Sequence, residues 1–546
     1  MKNHLFDLVV IGGGVHGAAV VRRLAKSGYD VVLVEKGDFC SATSANSLKI
    51  LHGGLRYLQH GDFKRMRESI RARREFMQLA PHLVKPLPCL MATQGMGLKS
   101  RPLMGTAFFV NDLISFDRNQ GLPVDKHLGR GRIIGKRQAA QILTGLDQQN
   151  ISGAALWYDG LVEDSERMVL VMIKEAVRAG AAAINYAEVE ELLEPDSGSA
   201  GYQVKVRDSC LDERFTVRAK MVVDCGGPWR GELADADRHK DDEIGLAKAV
   251  NIVVDRNFFG DYAVGIEGSS EHVDKDAVVK RGKRLFFFVP WRKKTMIGTM
   301  YRYCRLEQEA LTTTENDIGE MLAEINDIYP AAGLTSDDVV FSHAGLVPAH
   351  SPGPGEGNRD PRLVKHSEII DHDEHGRPGL ISIRGVKYTT ALQVARDLEQ
   401  IVKAKGLQPS RQEKESKESA APVSSAVGEL EKSFPHIRKR YGREAEEIYK
   451  LMAEEPSTEE MVSSEPPLCR AEICHMIRSE MVLHLSDLVL RRSGFGSDAC
   501  PERKSLEQAA RVMADELDWP EDRVSFELDE LINHYRKMHV HMEDGD

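Results

Sequence analysis

The hexapeptide Gly12-Gly13-Gly14-Val15-His16-Gly17 satisfies the pattern G-x-G-x-x-G, and an acid, Glu35, follows 18 residues after its last glycine. In such a turn Gly12 permits a tight reversal, Gly14 lets backbone approach a pyrophosphate, and Gly17 lets a helix pack closely on the preceding strand. The helix that opens at Val15 and His16 offers free N–H groups and a partial positive charge, a chemistry suited to phosphate. Glu35, with Lys36 beside it, stands where a carboxylate accepts from ribose hydroxyls. The following run from Cys40 to Ser47 holds the small polar side chains of Thr43, Ser44, Asn46 and Ser47. Such residues suit a loop that wraps a long cofactor, although a plain polar loop has the same composition.

The surrounding pattern supplies the elements these residues need. Residues 5–11 read as a buried parallel strand, residues 15–28 carry apolar side chains at helical spacing up to Gly28, and YDVVLVEK reads as a second strand. This is a βαβ unit of about 30 residues, which by itself fits FAD and NAD alike. A basic helix is expected over 62–80, with its arginines on a solvated face. Another helix is expected over 165–180, and strands at 202–207, 214–224 and 285–291 suggest a second sheet inserted into the first fold. The polar stretch 405–426 reads as a linker. Beyond it, Ile473, Met476, Ile477, Met481, Leu485 and Leu488 recur at three- and four-residue steps and predict helix through 470–490.

The chain's 546 residues suffice for two or three domains, and its net charge of -11 argues against a nucleic-acid partner. Eight scattered cysteines without a CxxC pair read as reduced thiols in a cytosolic setting, and Cys469 and Cys474 lack the second pair that a zinc site needs. The N-terminal apolar run ends in glycines rather than a cleavage site, and no stretch reaches the roughly 20 apolar residues of a membrane span. The expectation is a protein that is soluble, or at most lies on a membrane surface.

Several separated segments carry a resemblance. Residues 43–58 (TSANSLKILHGGLRYL), Asp159-Gly160, Cys225-Gly226-Gly227-Pro228-Trp229, residues 286–299, Arg384-Gly385-Val386-Lys387-Tyr388-Thr389-Thr390 and the C-terminal AEICHMIRSEMVLHLSDLVLRRSGFG follow one another as in FAD-dependent glycerol-3-phosphate dehydrogenases and oxidases. The chain resembles that family over nearly its whole length. The resemblance implies an α/β fold: a glutathione-reductase-like, Rossmann-type FAD-binding domain, an inserted mixed-sheet substrate domain of the D-amino-acid-oxidase type, and a C-terminal α-helical domain. The bounds it suggests are 1–404, with the substrate part at roughly 85–165 and 240–345, a linker at 405–426, and 427–546. It implies non-covalent FAD, no metal, and oxidation of sn-glycerol 3-phosphate to dihydroxyacetone phosphate by hydride transfer to flavin N5. Electrons would pass to a quinone or another acceptor. A cytoplasmic location, peripheral contact with the cytoplasmic membrane and a homodimer are all compatible with it.

Site roles follow from the same likeness. Gly226 and Trp229 lie in a second cofactor-contacting turn, and Gly385, Lys387, Thr389 and Thr390 in the run that closes over the flavin ring. Lys387 at a helix start suits negative charge arriving on the flavin. Arg56 offers a planar donor fork to an anionic substrate group, and His52 lies near it. Three departures from the family fall where substrate would be held: Val347 for an arginine, Asn251 for a histidine, and Met300-Tyr301 for Thr-Asp. The run Lys365-His366-Ser367-Glu368-Ile369 differs as well. The alternative is therefore a related flavoenzyme acting on a different anionic hydroxy or amino compound. A flavin-bearing scaffold with little turnover is a third reading, against which Arg56 and Lys387 both speak.

Overall fold

The computed structural model describes the chain apart from residues 1–3, 56, 58–60, 94–100, 148–149, 196–200, 230–243, 272–282, 305–310, 352–360, 412–424 and 539–546. Arg56 therefore lies outside the described residues. The chain opens with β1 (Leu5–Ile11), α1 (Val15–Lys26), β2 (Val31–Val34) and the short β3 (Ile50–Leu51). Next come α2 (Phe63–Leu79), β4 (Val84–Thr93), α3 (Arg101–Ile114), β5 (Arg132–Gly135), α4 (Lys136–Ile142), β6 (Gly153–Val162) and α5 (Ser165–Arg178). Strands β7 (Ala182–Ile184), β8 (Ala187–Leu193), β9 (Tyr202–Asp208) and β10 (Glu213–Asp224) follow. The strands β11 (Ile244–Val254), β12 (Ala263–Glu271), β13 (Lys283–Trp291) and β14 (Lys294–Cys304) precede α6 (Glu315–Ile328) and β15 (Val339–His350). Strands β16 (Glu368–Asp371) and β17 (Leu380–Arg384) then lead to α7 (Ala391–Ala404).

Among the described residues these strands form two large sheets. The first runs β16-β17-β10-β1-β2-β7, with the β8–β9 meander attached to β10. Its centre is parallel, β1 lying between β10 and β2. Leu8, Val9 and Val10 are fully buried, so β1 reads as one apolar run, as a strand covered on both faces must. Helix α1 buries its apolar stripe against this sheet and packs beside α5 and α7, ending where Gly28 takes φ +85°. The second sheet runs β15-β11-β14-β13-β12-β4-β6-β3 and is mostly antiparallel.

The C-terminal segment contains α8 (Ser425–Ser433), α9 (Pro435–Tyr441), α10 (Ala445–Glu454), the hairpin β18 (Met461–Ser464) and β19 (Pro467–Cys469), then α11 (Arg470–Glu480), α12 (Arg503–Leu517) and α13 (Glu521–Lys537). Its apolar residues form one cluster with Trp291, Met296 and Phe341 of the second sheet. Apolar spacing predicts a single helix over 470–490, but the chain breaks at Met481, which takes φ +57°. The reason is buried charge. Glu480 is drawn to Arg167 at 2.9 Å, and Asp487 caps a new turn by accepting from Leu483 and His484 N–H at 3.0 and 2.9 Å.

The segment read as a linker lies outside the described residues over 412–424; at its described start Ser410 Oγ donates to buried Asp7 at 2.6 Å and Arg411 N to Gly28 O at 2.9 Å. One other expectation is corrected. The face of α2 is not simply solvated. Arg73 is buried and paired with Asp159, while Arg67 and Arg74 both grip Asp117. Complementary carboxylates on other elements, invisible to helical periodicity, decide where these arginines point.

Candidate active site

A continuous cavity of about 2490 Å³ runs along the junction of the two sheets. One end is built by the βαβ unit. Gly12 takes φ +100°, and a Cβ there would stand 2.6 Å from the Cys225 carbonyl. Gly14 opens α1 with no side-chain cap, so the first N–H groups remain available except that of Val15, which donates to Ser44 Oγ at 3.0 Å. Glu35 leaves β2 and accepts from Gly13 N at 2.5 Å and Gly37 N at 2.8 Å. Burial raises its pKa, against the lowering by those two N–H groups. Lys36 lies 4.1 Å from the ring centroid of Trp229, which sits in the turn after β10 beside Gly226.

Gly17 does not reach the cavity. A Cβ at that position would lie 1.9 Å from Gly12 O, so this glycine serves the packing of α1 on β1. His16 lines the cavity, packs against Gly385 and has an unpartnered buried Nε2. Burial depresses its pKa to about 4, so the imidazole is neutral.

The polar loop after β2 divides its work. Ser44 and Ser47 face the cavity. Thr43 lines it too, but its hydroxyl is spent on the second sheet, donating to Leu346 O at 3.0 Å and accepting from Leu346 N at 2.9 Å. Asn46 likewise bonds His343 Nδ1 through Oδ1 at 3.1 Å, and its carbonyl accepts from Asn251 at 3.4 Å. Burial pushes the His343 pKa well below its usual value. This loop therefore straps the two sheets together as well as lining the cavity.

At the other end, Lys387 leaves β17 and donates through Nζ to Tyr57 OH, lying 5.0 Å from that ring's centroid. Thr389 lines the cavity, whereas Thr390 turns away, donating to Lys387 O at 2.9 Å. His52, half exposed into the cavity, meets the buried Asp159 carboxylate through Nδ1 at 3.2 Å, and its ring centroid lies 5.9 Å from that of Phe287. Val347, Asn251 and Tyr301 line the wall formed by β11, β14 and β15. Met300 does not: it is 4% exposed in the hydrophobic core on the other face. Adjacent strand residues face opposite ways, so the departure that reaches the site is Tyr301.

Sequence reasoning missed Asp159 and Lys49 as residues lining the cavity, and Arg73 buried behind Asp159. Lys49 is fully buried, with Nζ bonded to Ala45 O, Ser165 Oγ and Glu166 at 2.7–3.1 Å. A charged residue inside the apolar strand GAALWYDGLV was the available signal for Asp159, because a buried charge needs partners.

The nucleotide end fits a dinucleotide: glycine backbone that a Cβ would obstruct, an uncapped helix start, and an acid at the end of β2. Residues 7–392 match the family described as FAD dependent oxidoreductase, and residues 407–524 match the C-terminal domain of alpha-glycerophosphate oxidase. The protein is an FAD-dependent oxidoreductase. Its relatives include a glycerol-3-phosphate dehydrogenase of Synechocystis, 30% identical over 515 residues that cover 90% of this chain and 89% of that protein. Glycerol-3-phosphate dehydrogenase 2 of Mycobacterium tuberculosis is 30% identical over 94% of this chain and 85% of its own length. The fold is shared with the solved glycerol-3-phosphate dehydrogenase from Bacillus halodurans complexed with FAD (TM-score 0.69, 24% identity, 99% and 96% of the two chains). The chain belongs to the FAD-dependent glycerol-3-phosphate dehydrogenase/oxidase family.

Proposed function

We propose that this enzyme oxidises sn-glycerol 3-phosphate at its secondary hydroxyl to dihydroxyacetone phosphate, and that the electrons pass on to a quinone or another acceptor. The observation that carries the reading is the single cavity joining the glycine turn to the Lys387, Tyr57 and His52 end. In this reading the Gly12–Gly14 turn and the start of α1 hold the pyrophosphate, Glu35 the ribose, and Lys36 and Trp229 flank the adenosine side. FAD, when bound, supplies the two-electron oxidant that accepts hydride at N5. Lys387 provides fixed positive charge where negative charge arrives, and His52 takes the hydroxyl proton. Arg56 is the cation assigned to the substrate's anionic group.

A specific observation favours a second reading, oxidation of a different anionic hydroxy or amino compound: Val347, Asn251 and Tyr301 all line the cavity wall. Anaerobic mixing of the yellow protein with candidate substrates, followed by flavin absorbance, separates the two. Bleaching by glycerol 3-phosphate at low millimolar concentration or below supports the first. Bleaching by another hydroxy or amino acid, and not by glycerol 3-phosphate, establishes the second.

Peripheral membrane attachment is part of the proposal. Among the described residues no helix is long and apolar enough to cross a membrane. Helix α3 and the turn after it expose Phe109, Leu113 and Phe116 at 72%, 67% and 79%, while Met104, Ala107 and Val110 of the same helix line the cavity. Such a helix can lie in the bilayer interface and bring the cavity next to a lipid-soluble acceptor. Flotation with anionic vesicles should carry the wild type and lose the Phe109→Asp/Phe116→Asp variant; equal flotation of both would remove α3 from this role.

A further inference from the structure

We infer that Asp159 is a positioning residue: it holds the His52 imidazole in the tautomer and orientation that present Nε2 to the substrate hydroxyl. The inference rests on the reading of His52 as proton acceptor. Asp159 lies in β6, is 4% exposed, and both its oxygens are occupied. Oδ1 accepts from Gly53 N and Arg73 Nη1, each at 2.7 Å. Oδ2 faces Trp157 Nε1 and His52 Nδ1, each at 3.2 Å. Three of the four partners come from buried backbone or side chains, whereas the fourth comes from a residue half exposed into the cavity.

Burial would raise the Asp159 pKa, but the bond and charge of His52, the charge of Arg73 and the Gly53 N–H outweigh it and hold the carboxyl at about 2. At neutral pH it is ionised and can only accept. His52 Nδ1 must then be the donor, and in the neutral ring the lone pair belongs to Nε2. Phe287 lies on one side of the ring, with 5.9 Å between centroids. Arg73 is buried beside Asp159, so the pair is neutral while His52 is neutral. When the substrate O–H bond breaks, its proton forms the Nε2–H bond and its electron pair becomes the second C–O bond. The C–H pair leaves as hydride to the FAD oxidant that the family supplies. The imidazolium so formed lies against Asp159.

The test compares the FAD-bound wild type with His52→Asn, Asp159→Asn and Asp159→Asn/Arg73→Met. The double variant buries no unpaired charge, so it remains informative if the single aspartate variant fails to fold. Long-range 1H–15N spectra of histidine-labelled protein, assigned by the signal missing in His52→Asn, need no substrate. They should show His52 protonated at Nδ1 in the wild type and shifted toward the Nε2–H form in the double variant. With glycerol 3-phosphate, anaerobic bleaching in the double variant should slow by about 10²- to 10⁴-fold, with its half-saturating concentration changed by less than about threefold. Nε2 protonated in the wild type, or a double variant that keeps the wild-type tautomer and rate, overturns the role of Asp159. His52→Asn bleaching at the wild-type rate overturns instead the reading of His52 as the acceptor.

Discussion

The two ends of the cavity are assembled in opposite ways. The nucleotide end is local: Gly12, Gly14 and Glu35 come from three consecutive elements, β1, α1 and β2. The other end is remote, since Lys387 meets Tyr57 across 330 residues of sequence and His52 meets Asp159 across 107. The first end presents mainly glycine backbone to the cavity, which tolerates few substitutions. The second uses side chains on sheet strands, which can be exchanged without altering the strands. Val347, Asn251 and Tyr301, read from the sequence as departures from the family, all lie on the second end.

The largest expected effect is at the local end. In Gly17→Val a Cβ would stand 1.9 Å from Gly12 O, forcing α1 off β1 at a cost of about 4 kcal/mol or more. Thermal unfolding and the flavin-to-protein ratio should both collapse, and a fully yellow, stable variant would show that this end is not set by backbone fit. Next is a test of whether the nucleotide end is autonomous. Asp38, three residues beyond Glu35, is buried against Arg491 and Arg492 of the C-terminal segment at 2.6–2.8 Å. Asp38→Asn leaves the buried Arg492 guanidinium undercompensated and removes one of the two carboxylates on Arg491, and should lower stability by about 3 kcal/mol in denaturant unfolding. No change would mean the end stands alone.

The two ends should also fail at different pH. Burial lowers the His16 pKa from 6.5 to about 4, so its contribution is full above pH 6.5 and is lost as pH falls toward 4. Asp159, lowered from 3.8 to about 2, keeps its contribution above pH 3.8 and loses it toward pH 2. The stability lost on the acid side is about 3 kcal/mol for His16 and about 2 kcal/mol for Asp159. The difference in unfolding free energy between the wild type and His16→Asn should therefore change between pH 6.5 and 4 and stay flat below; a difference constant over that range would refute the assignment. The smallest effect is at the remote end. Val347→Arg restores a charged donor fork on the β15 wall and should raise kcat/KM for glycerol 3-phosphate by about tenfold, or about 1.4 kcal/mol. Tyr301 and Asn251 also differ there, so the gain depends on how they repack.

Legibility followed the same division. The placement of the G-x-G-x-x-G turn after β1 and of Glu35 after β2 was readable because three adjacent elements impose their spacing on the sequence itself. Met300 was expected at the pocket and Tyr301 took its place, since a one-residue step along a strand reverses the face. The arginines of α2 read as solvated, yet Arg73 is buried, because the carboxylate that draws it in belongs to a strand 86 residues away. Met481 interrupted an apolar helical stripe for the same kind of reason, the burial of Glu480 against Arg167.

By itself, then, the sequence determined the dinucleotide turn, the βαβ unit around it, the apolar character of the central strands and the family to which the chain belongs. Those depend on glycine geometry and short-range periodicity, which neighbouring residues express without help. Only the tertiary structure decided that His52 has Asp159 behind it, that Thr43 and Asn46 tie one sheet to the other, and that Asp38 is anchored by the C-terminal segment. Each of these pairs a charge or hydrogen-bonding group with a partner far along the chain, and a buried polar group takes whichever partner the fold brings within about 3 Å.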